Sequence, residues 1–275
     1  MDTITATISP QYLLSRLGSA QQPLILDVRR KQAFDQDPRM IAGAVWRDPF
    51  TVGDWLKFLP RHRDIAVYCV HGHEISRNAA AALTAGGLHA VVLEGGIESW
   101  TAGGAPTIHK QPSLGIPSAV NAPSTWVTRE RPKIDRIACP WLVRRFIDPL
   151  AEFRYVPAGE VIDYAAQHRA IAYDVPAVQF SHRGDLCSFD ALLADFQLND
   201  PLLRDLATIV RGADTAHLEL SPQSPGLLAV SLGLSALYAD DLEMLRHGMT
   251  VYDALYAWLR SARAEVHNAK LFQAA

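Results

Sequence analysis

The chain is short of cysteine. Its three thiols, Cys69, Cys139 and Cys187, are an odd number set far apart in 275 residues. They give no disulfide framework, which points to a reducing compartment, and the cytoplasm is the expected location. Long apolar runs are missing as well. None approaches the roughly 20 residues that a membrane-spanning helix needs, so no membrane is expected as a partner. An excess of either charge is also lacking, with 26 Lys and Arg against 29 Asp and Glu and a formal net charge of −3. That balance excludes binding to nucleic acid by bulk charge and leaves room only for a local basic patch. The opening residues, Met1 to Pro10, hold no basic segment and no long apolar core, so no secretory leader is expected. What is present is a foldable composition, 49% hydrophobic and 20% charged. The length fits two domains of ordinary size.

From about residue 9 to residue 104, helix and strand signals alternate. Ser9 followed by Pro10 opens a helix that Gly18 closes. Leu24 to Val28, Ile65 to Tyr68 and Ala90 to Leu93 are short apolar runs that predict buried strands. Asp54 to Leu59, Ser76 to Ala85 and Ile97 to Ala102 predict helices, the second stopped by Gly86-Gly87. Short buried strands between helices predict an α/β fold with a parallel sheet covered on both faces. Between Gly103 and Thr125 lie Pro106, Pro112, Pro117 and Pro123. They predict a Pro-rich, semi-extended connector over 106–125, between a first domain at 1–105 and a second at 126–275. The second domain reads as helix-rich α+β. Leu202 to Val210, Leu227 to Leu237 and Val251 to Leu259 predict helices, and Phe153 to Val156 and Ala170 to Tyr173 predict strands.

The most informative segment runs from Ile65 to Arg77. A buried strand ends at Cys69, a short loop holds Gly72, and a helix opens near Ser76. Ligands of open parallel sheets bind beyond the carboxyl ends of strands, and helix N-termini present unpaired N–H groups there. Such a loop can curl its amides into an anion nest, which lowers the pKa of a thiol and makes it a nucleophile. Cys69 is then the catalytic residue, negative and open to reaction at neutral pH. Val70, His71, Gly72, His73, Glu74 and Ile75 form the substrate-binding loop. The plain alternative is a small core cysteine at a strand end.

Four pieces in order carry a resemblance: Asp27-Val28-Arg29, Ile41-Ala42-Gly43-Ala44, the Cys69 loop, and Leu93 to Trp100 followed by Gly103-Gly104. Residues from about 9 to 105 resemble a rhodanese domain. The resemblance implies a sulfurtransferase in which Cys69 accepts a sulfane sulfur as a persulfide and passes it to an acceptor thiol, with no cofactor needed. Its partners would be a small-molecule sulfur donor and a thiol acceptor. Thiosulfate-using members place a basic residue in the loop, where this chain has His71, His73 and Glu74, so weak thiosulfate turnover is expected. A related phosphatase-type loop needs Arg six positions after the Cys. That position is Ile75, which disfavours phosphatase chemistry. Asp27 and Arg29 read as framework residues.

In the second half, Trp126 to Ile147 is basic, with Arg129, Arg131, Lys133, Arg136, Arg144 and Arg145. Cys139 precedes Pro140, which suits a first helical position. Cys139 then becomes an N-cap thiol, and with Arg136 a second thiol or oxyanion site. His182, Cys187 and Asp190 are candidate ligands for a divalent metal, although an isolated His-x4-Cys is a weak signal. The plain reading there is a helix capped by Asp185 or Ser188. Arg211 to Asp214 reads as a helix-ending turn, and Met244, Met249, Tyr252, Tyr256 and Trp258 as core. Trp126 to Phe146, His182 to Asp190, Ile209 to Asp214 and His247 to Trp258 also carry a resemblance. Residues about 125–260 are similar to the C-terminal domain of the chromate-resistance ChrB family. That resemblance implies a chromate-resistance or sulfur-metabolism context for the sulfurtransferase. The competing expectation is a chromate- or oxyanion-responsive regulator that binds DNA or metal through this domain, and a third is that the domain is itself a metalloenzyme. No helix-turn-helix is evident, so nucleic acid is not the expected partner.

Overall fold

The structure is a computed structural model that describes residues 6–117 and 122–265. Expectations placed on residues 1–5, on 118–121 of the connector and on 266–275 of the second domain lie outside the described residues. The first half alternates as the sequence predicts. It runs β1 (Thr7–Ile8), α1 (Pro10–Arg16), β2 (Leu24–Asp27), α2 (Lys31–Gln36), β3 (Arg39–Ile41), β4 (Ala44–Trp46), α3 (Val52–Trp55), β5 (Ile65–Tyr68), α4 (Glu74–Ala85), β6 (Ala90–Leu93) and α5 (Gly96–Ala102). Ser9 caps α1 by accepting from the Tyr12 amide at 3.2 Å, with Pro10 at the first helical position. Five strands form one sheet in the order β1-β6-β5-β2-β4, every neighbouring pair parallel. Every residue of β2 and β5 is buried, which is why these strands read as unbroken apolar runs.

The connector is not free chain. Thr107–His109 forms β7, antiparallel to β3, with Met40 opposite Ile108. The His109 amide donates to Phe196 O at 2.9 Å, and Gln111 Nε2 donates to Asp195 O at 2.9 Å. Pro106 and Pro112 flank this strand and leave its ladder donors intact.

The second half runs β8 (Thr125–Arg129), α6 (Asp135–Leu142), β9 (Glu152–Val156), α7 (Val161–His168), β10 (Ile171–Ala172), α8 (Ser188–Asp195), α9 (Pro201–Asp214), α10 (Ser224–Leu237) and α11 (Asp241–Ala257). A small parallel sheet in the order β10-β8-β9 carries these helices. Strand β8, inside the basic stretch, was not predicted.

Cys139 is not an N-cap. Helix α6 begins at Asp135, which places Cys139 and Pro140 inside it, and Cys139 is 1% exposed. An interior proline lacks the N–H that would bond the carbonyl four residues back. Here that carbonyl, Arg136 O, accepts instead from Tyr155 Oη at 3.1 Å and Tyr173 Oη at 3.3 Å. The expected cap of α8 is corrected too. Cys187 holds the N-cap position, and Asp190 Oδ2 accepts from its amide at 3.1 Å.

One hydrophobic cluster runs through both halves. It joins Leu13, Leu17, Ile25, Met40 and Trp100 to Trp126, Trp141, Phe146, Phe153 and Tyr256. The Gly43 amide donates to Phe146 O at 2.6 Å, and Gln22 Nε2 donates to Arg145 O at 2.9 Å. Arg260 reaches from beyond α11 to the carbonyls of Ser15 and Leu17. The opposite face of the large sheet has its own core, with Leu24, Leu26, Val67, Cys69, Ala80 and Leu83.

Candidate active site

Cys69 follows β5, between the sheet and the start of α4. Its residue is 6% exposed, so the thiol is not open on the surface as expected. It lies in the wall of a cleft of about 360 Å³ lined also by Arg29, Arg30, Val70, His71, His73 and Glu74. Cys69 Sγ is 3.3 Å from Ser76 Oγ. Burial opposes ionisation of this thiol. The Ser76 hydroxyl and the amides of Ser76, His73 and His71 outweigh it and hold the thiol below its ordinary range.

The loop owes its shape to the glycines of α5. The Ile97 amide donates to Cys69 O at 3.0 Å, and the Glu98 amide to Val70 O at 3.3 Å. These bonds tie the Cys69 and Val70 carbonyls to the start of α5. Gly96 has φ +59°, and a Cβ there would lie 2.4 Å from both Cys69 O and Val70 O. Gly72 has φ +71°, and its Cβ would lie 2.5 Å from Leu93 O. Gly96 is therefore the seat of the Cys69 loop.

Around the thiol, His71 Nδ1 is 2.9 Å from Glu98 Oε2 on the surface. Asp27 is fully buried and accepts from Arg29 at 2.6 Å and from Tyr68 Oη at 2.7 Å. The framework reading of Asp27 and Arg29 matches this geometry. Arg30, exposed in the cleft wall, supplies the basic group that the loop itself lacks. Sequence reasoning missed it because it comes from the end of β2, not from the loop.

In the second half, five of the six basic residues have intramolecular partners. Arg129 and Arg136 pair with Asp174 at 3.2 and 3.3 Å, and Arg145 pairs with Asp253 at 2.8 Å. Arg131 donates to the carbonyls of Ser235, Tyr238 and Ala239, and Arg144 to Ala151 O at 3.1 Å. The expected Cys139–Arg136 oxyanion site does not form. Cys139 is sealed in α6, where burial and the charges of Asp135 and Asp174 push its thiol up. Cys187 is also buried, and burial with Asp135 and Asp190 pushes it up.

His182 does not meet Cys187 and Asp190 in a ligand group. Its Nε2 lies 3.1 Å from Asp214 Oδ2, 3.4 Å from Asp174 Oδ1 and 3.7 Å from Asp135 Oδ2. Asp190 instead pairs with Arg211 at 2.8 Å. Asp135 is fully buried and accepts from the amides of Ser188 and Phe189, at 2.6 and 3.3 Å, at the start of α8. Burial and the charges of Asp214 and Asp174 push Asp135 up. A hydrogen bond to Asp174 does the same for His182, against burial. Ile134, just before Asp135, has φ +42°, a strained position for a β-branched residue. The three carboxylates escaped sequence reasoning because 135, 174 and 214 are too far apart to make a motif. The one signal was that Asp135, His182 and Asp214 fall within the stretches similar to the ChrB family.

Comparison with known proteins follows this division. Residues 9–103 match the model of the rhodanese-like domain, and residues 126–259 match that of the ChrB C-terminal domain. Protein ChrB of Cupriavidus metallidurans is 34% identical over 139 residues, which are 50% of this chain and 41% of that protein. The chain thus spans well under two thirds of that relative. Among solved structures, a rhodanese-related protein from Thermoplasma volcanium is 30% identical with a TM-score of 0.33, covering 37% of this chain and 96% of its own. A thiosulfate sulfurtransferase from Pseudomonas aeruginosa is 27% identical with a TM-score of 0.32, covering 38% of this chain and 19% of its own. Among the described residues, no helix is long and apolar enough to cross a membrane. The chain joins a rhodanese-like domain at residues 9–103 to a ChrB C-terminal domain at residues 126–259.

Proposed function

We propose that the protein is a rhodanese-type sulfurtransferase that carries sulfane sulfur on Cys69, in a chromate-resistance or sulfur-metabolism setting. The observation that carries this reading is the place of Cys69 just beyond β5, in the wall of a small cleft, with the Ser76 hydroxyl 3.3 Å from Sγ. In the first step the Cys69 thiolate attacks the outer sulfur of the donor. The bond from that sulfur to the rest of the donor breaks, S–S in thiosulfate and C–S in mercaptopyruvate, the remainder leaves with the electron pair as sulfite or as pyruvate enolate, and a Cys69 persulfide remains. In the second step an acceptor thiolate attacks the outer persulfide sulfur, and Cys69 departs as the thiolate. Both steps create or move negative charge at the same place, and fixed amides stabilise it without reorganising. The small cleft suits a small donor. Arg30 offers charge to an anionic one, while Glu74 at the start of α4 opposes a dianion.

The test is the mass of the intact protein after incubation with thiosulfate or with mercaptopyruvate. A gain of one sulfur atom on Cys69, lost on adding a thiol acceptor, is the expected result. Cys69→Ser abolishes both the gain and the transfer. Transfer that survives in Cys69→Ser overturns the assignment.

A further inference from the structure

The ChrB-like domain holds a second group of ligating side chains, independent of the Cys69 reading. Asp135 opens α6, Asp214 ends α9, and His182 comes from the loop before α8. One ligand atom from each of these three lies within 4.8 Å of the other two. We propose that Asp135, His182 and Asp214, with Asp174 beside them, bind one divalent first-row transition-metal cation such as Mn²⁺.

The argument begins with charge. Asp135 is 0% exposed, and among the described residues no Arg or Lys forms an ion pair with it or with Asp214. Among the described residues their one ion-pair partner is His182, whose single Nε2 is shared among three carboxylates. That nitrogen carries at most one hydrogen and can donate well to one oxygen, so the others face it with no proton between. Asp174 differs, since Arg129 and Arg136 pair with it. Buried carboxylates are kept in proteins when they are paired or hold a metal, and an ion pair 3.7 Å from His182 is a weak account of Asp135.

Geometry and donor chemistry point the same way. Ligands about 2.1 Å from a shared ion lie up to about 4.2 Å apart, so these atoms need only draw slightly together. Two or three carboxylates with one imidazole suit a borderline cation better than a thiolate-seeking one. The supporting shell is in place. The α8 amides hold Asp135, and Ser188 Oγ donates to Asp174 Oδ1 at 3.0 Å. The His182 side chain is 40% exposed, which gives the ion a path from solvent and leaves coordination positions for water.

Mn²⁺ itself is the probe, because it favours oxygen and imidazole over the three thiols. The full-length protein, first stripped with chelator, is titrated with Mn²⁺ while the free ion is followed by electron paramagnetic resonance. One bound equivalent is expected, together with a rise in melting temperature. His182→Ala, a change at a half-exposed side chain, and Asp214→Asn are each expected to weaken binding by at least about tenfold. Both variants are checked for native circular dichroism, and Cys187→Ser is expected to bind as the wild type does. No binding by the wild type overturns the proposal. So does equal binding by the wild type and both folded variants, or loss of binding in Cys187→Ser alone.

Discussion

Cys69, Cys139 and Cys187 are free thiols, but they do not share one environment. All three are buried, yet only Cys69 faces a ring of donors, while carboxylates surround the other two. A disulfide-exchange reagent applied to the native protein is therefore expected to find one fast thiol, and Cys69→Ser removes it. The pH profile of Cys69 alkylation should have its midpoint below the ordinary thiol value of about 8.5. Removing the hydroxyl in Ser76→Ala moves that midpoint up and slows alkylation at pH 7 by about tenfold, the worth of one hydrogen bond to a charged group. A midpoint unmoved by Ser76→Ala would refute the role of that hydroxyl. Asp37 gives a second pH effect. Its burial raises the carboxyl, but the Arg39 amide and the Arg29 charge bring it below its ordinary value. A depressed carboxyl adds stability that is present above the unfolded pKa and lost as pH falls through the folded one. Asp37→Asn should thus flatten the fall of melting temperature below about pH 4. The thiol and its loop were legible because strand, cysteine, glycine and helix follow one another in the chain. Arg30 was not, since its place in the cleft depends on β2 ending beside β5.

At the scale of elements, two contacts do most to shape the sites. Gly96 seats the Cys69 loop, and a methyl group there collides with two of its carbonyls. Gly96→Ala is expected to lower the melting temperature and to slow Cys69 alkylation together, at a cost of about 3 kcal/mol from strain and displaced backbone. Unchanged alkylation in a folded Gly96→Ala protein would disconnect α5 from the thiol. Helix α6 shows a different compensation, in which two tyrosine hydroxyls take the place of the N–H that Pro140 lacks. Tyr155→Phe should cost about 1 kcal/mol in the wild type and less in a Pro140→Ala background, where the amide returns. Denaturant unfolding of the four proteins measures the difference. Sequence reasoning placed the start of α6 at Pro140, because proline usually opens a helix. It could not see the hydroxyls, which arrive from β9 and the end of β10. Helix α10 shows the limit of apolarity as a guide. Its run from Leu227 to Leu237 does form a helix, but Ser224, Ser231 and Ser235 are buried while Val230, Leu232 and Leu237 are exposed.

Across the whole molecule, the two halves share one core. Leu13, Leu17 and Ile25 belong to the same cluster as Trp141, Phe146 and Tyr256, and backbone bonds cross between Gly43 and Phe146. The full chain is expected to unfold in one cooperative calorimetric transition, and two well-separated transitions would contradict the shared core. The alternation of strands and helices, the buried strands β2 and β5, and the place of Cys69 between a strand end and a helix start follow from the sequence alone. Each rests on neighbours a few residues apart, where propensity, apolar period and glycine are all local. Tertiary structure decided the rest: that residues 107–109 pair with β3, that Cys139 is sealed, and that His182 meets Asp135, Asp174 and Asp214. Those outcomes depend on which distant surfaces bury each other, and side chains some 80 residues apart become neighbours only once the helices that carry them have packed.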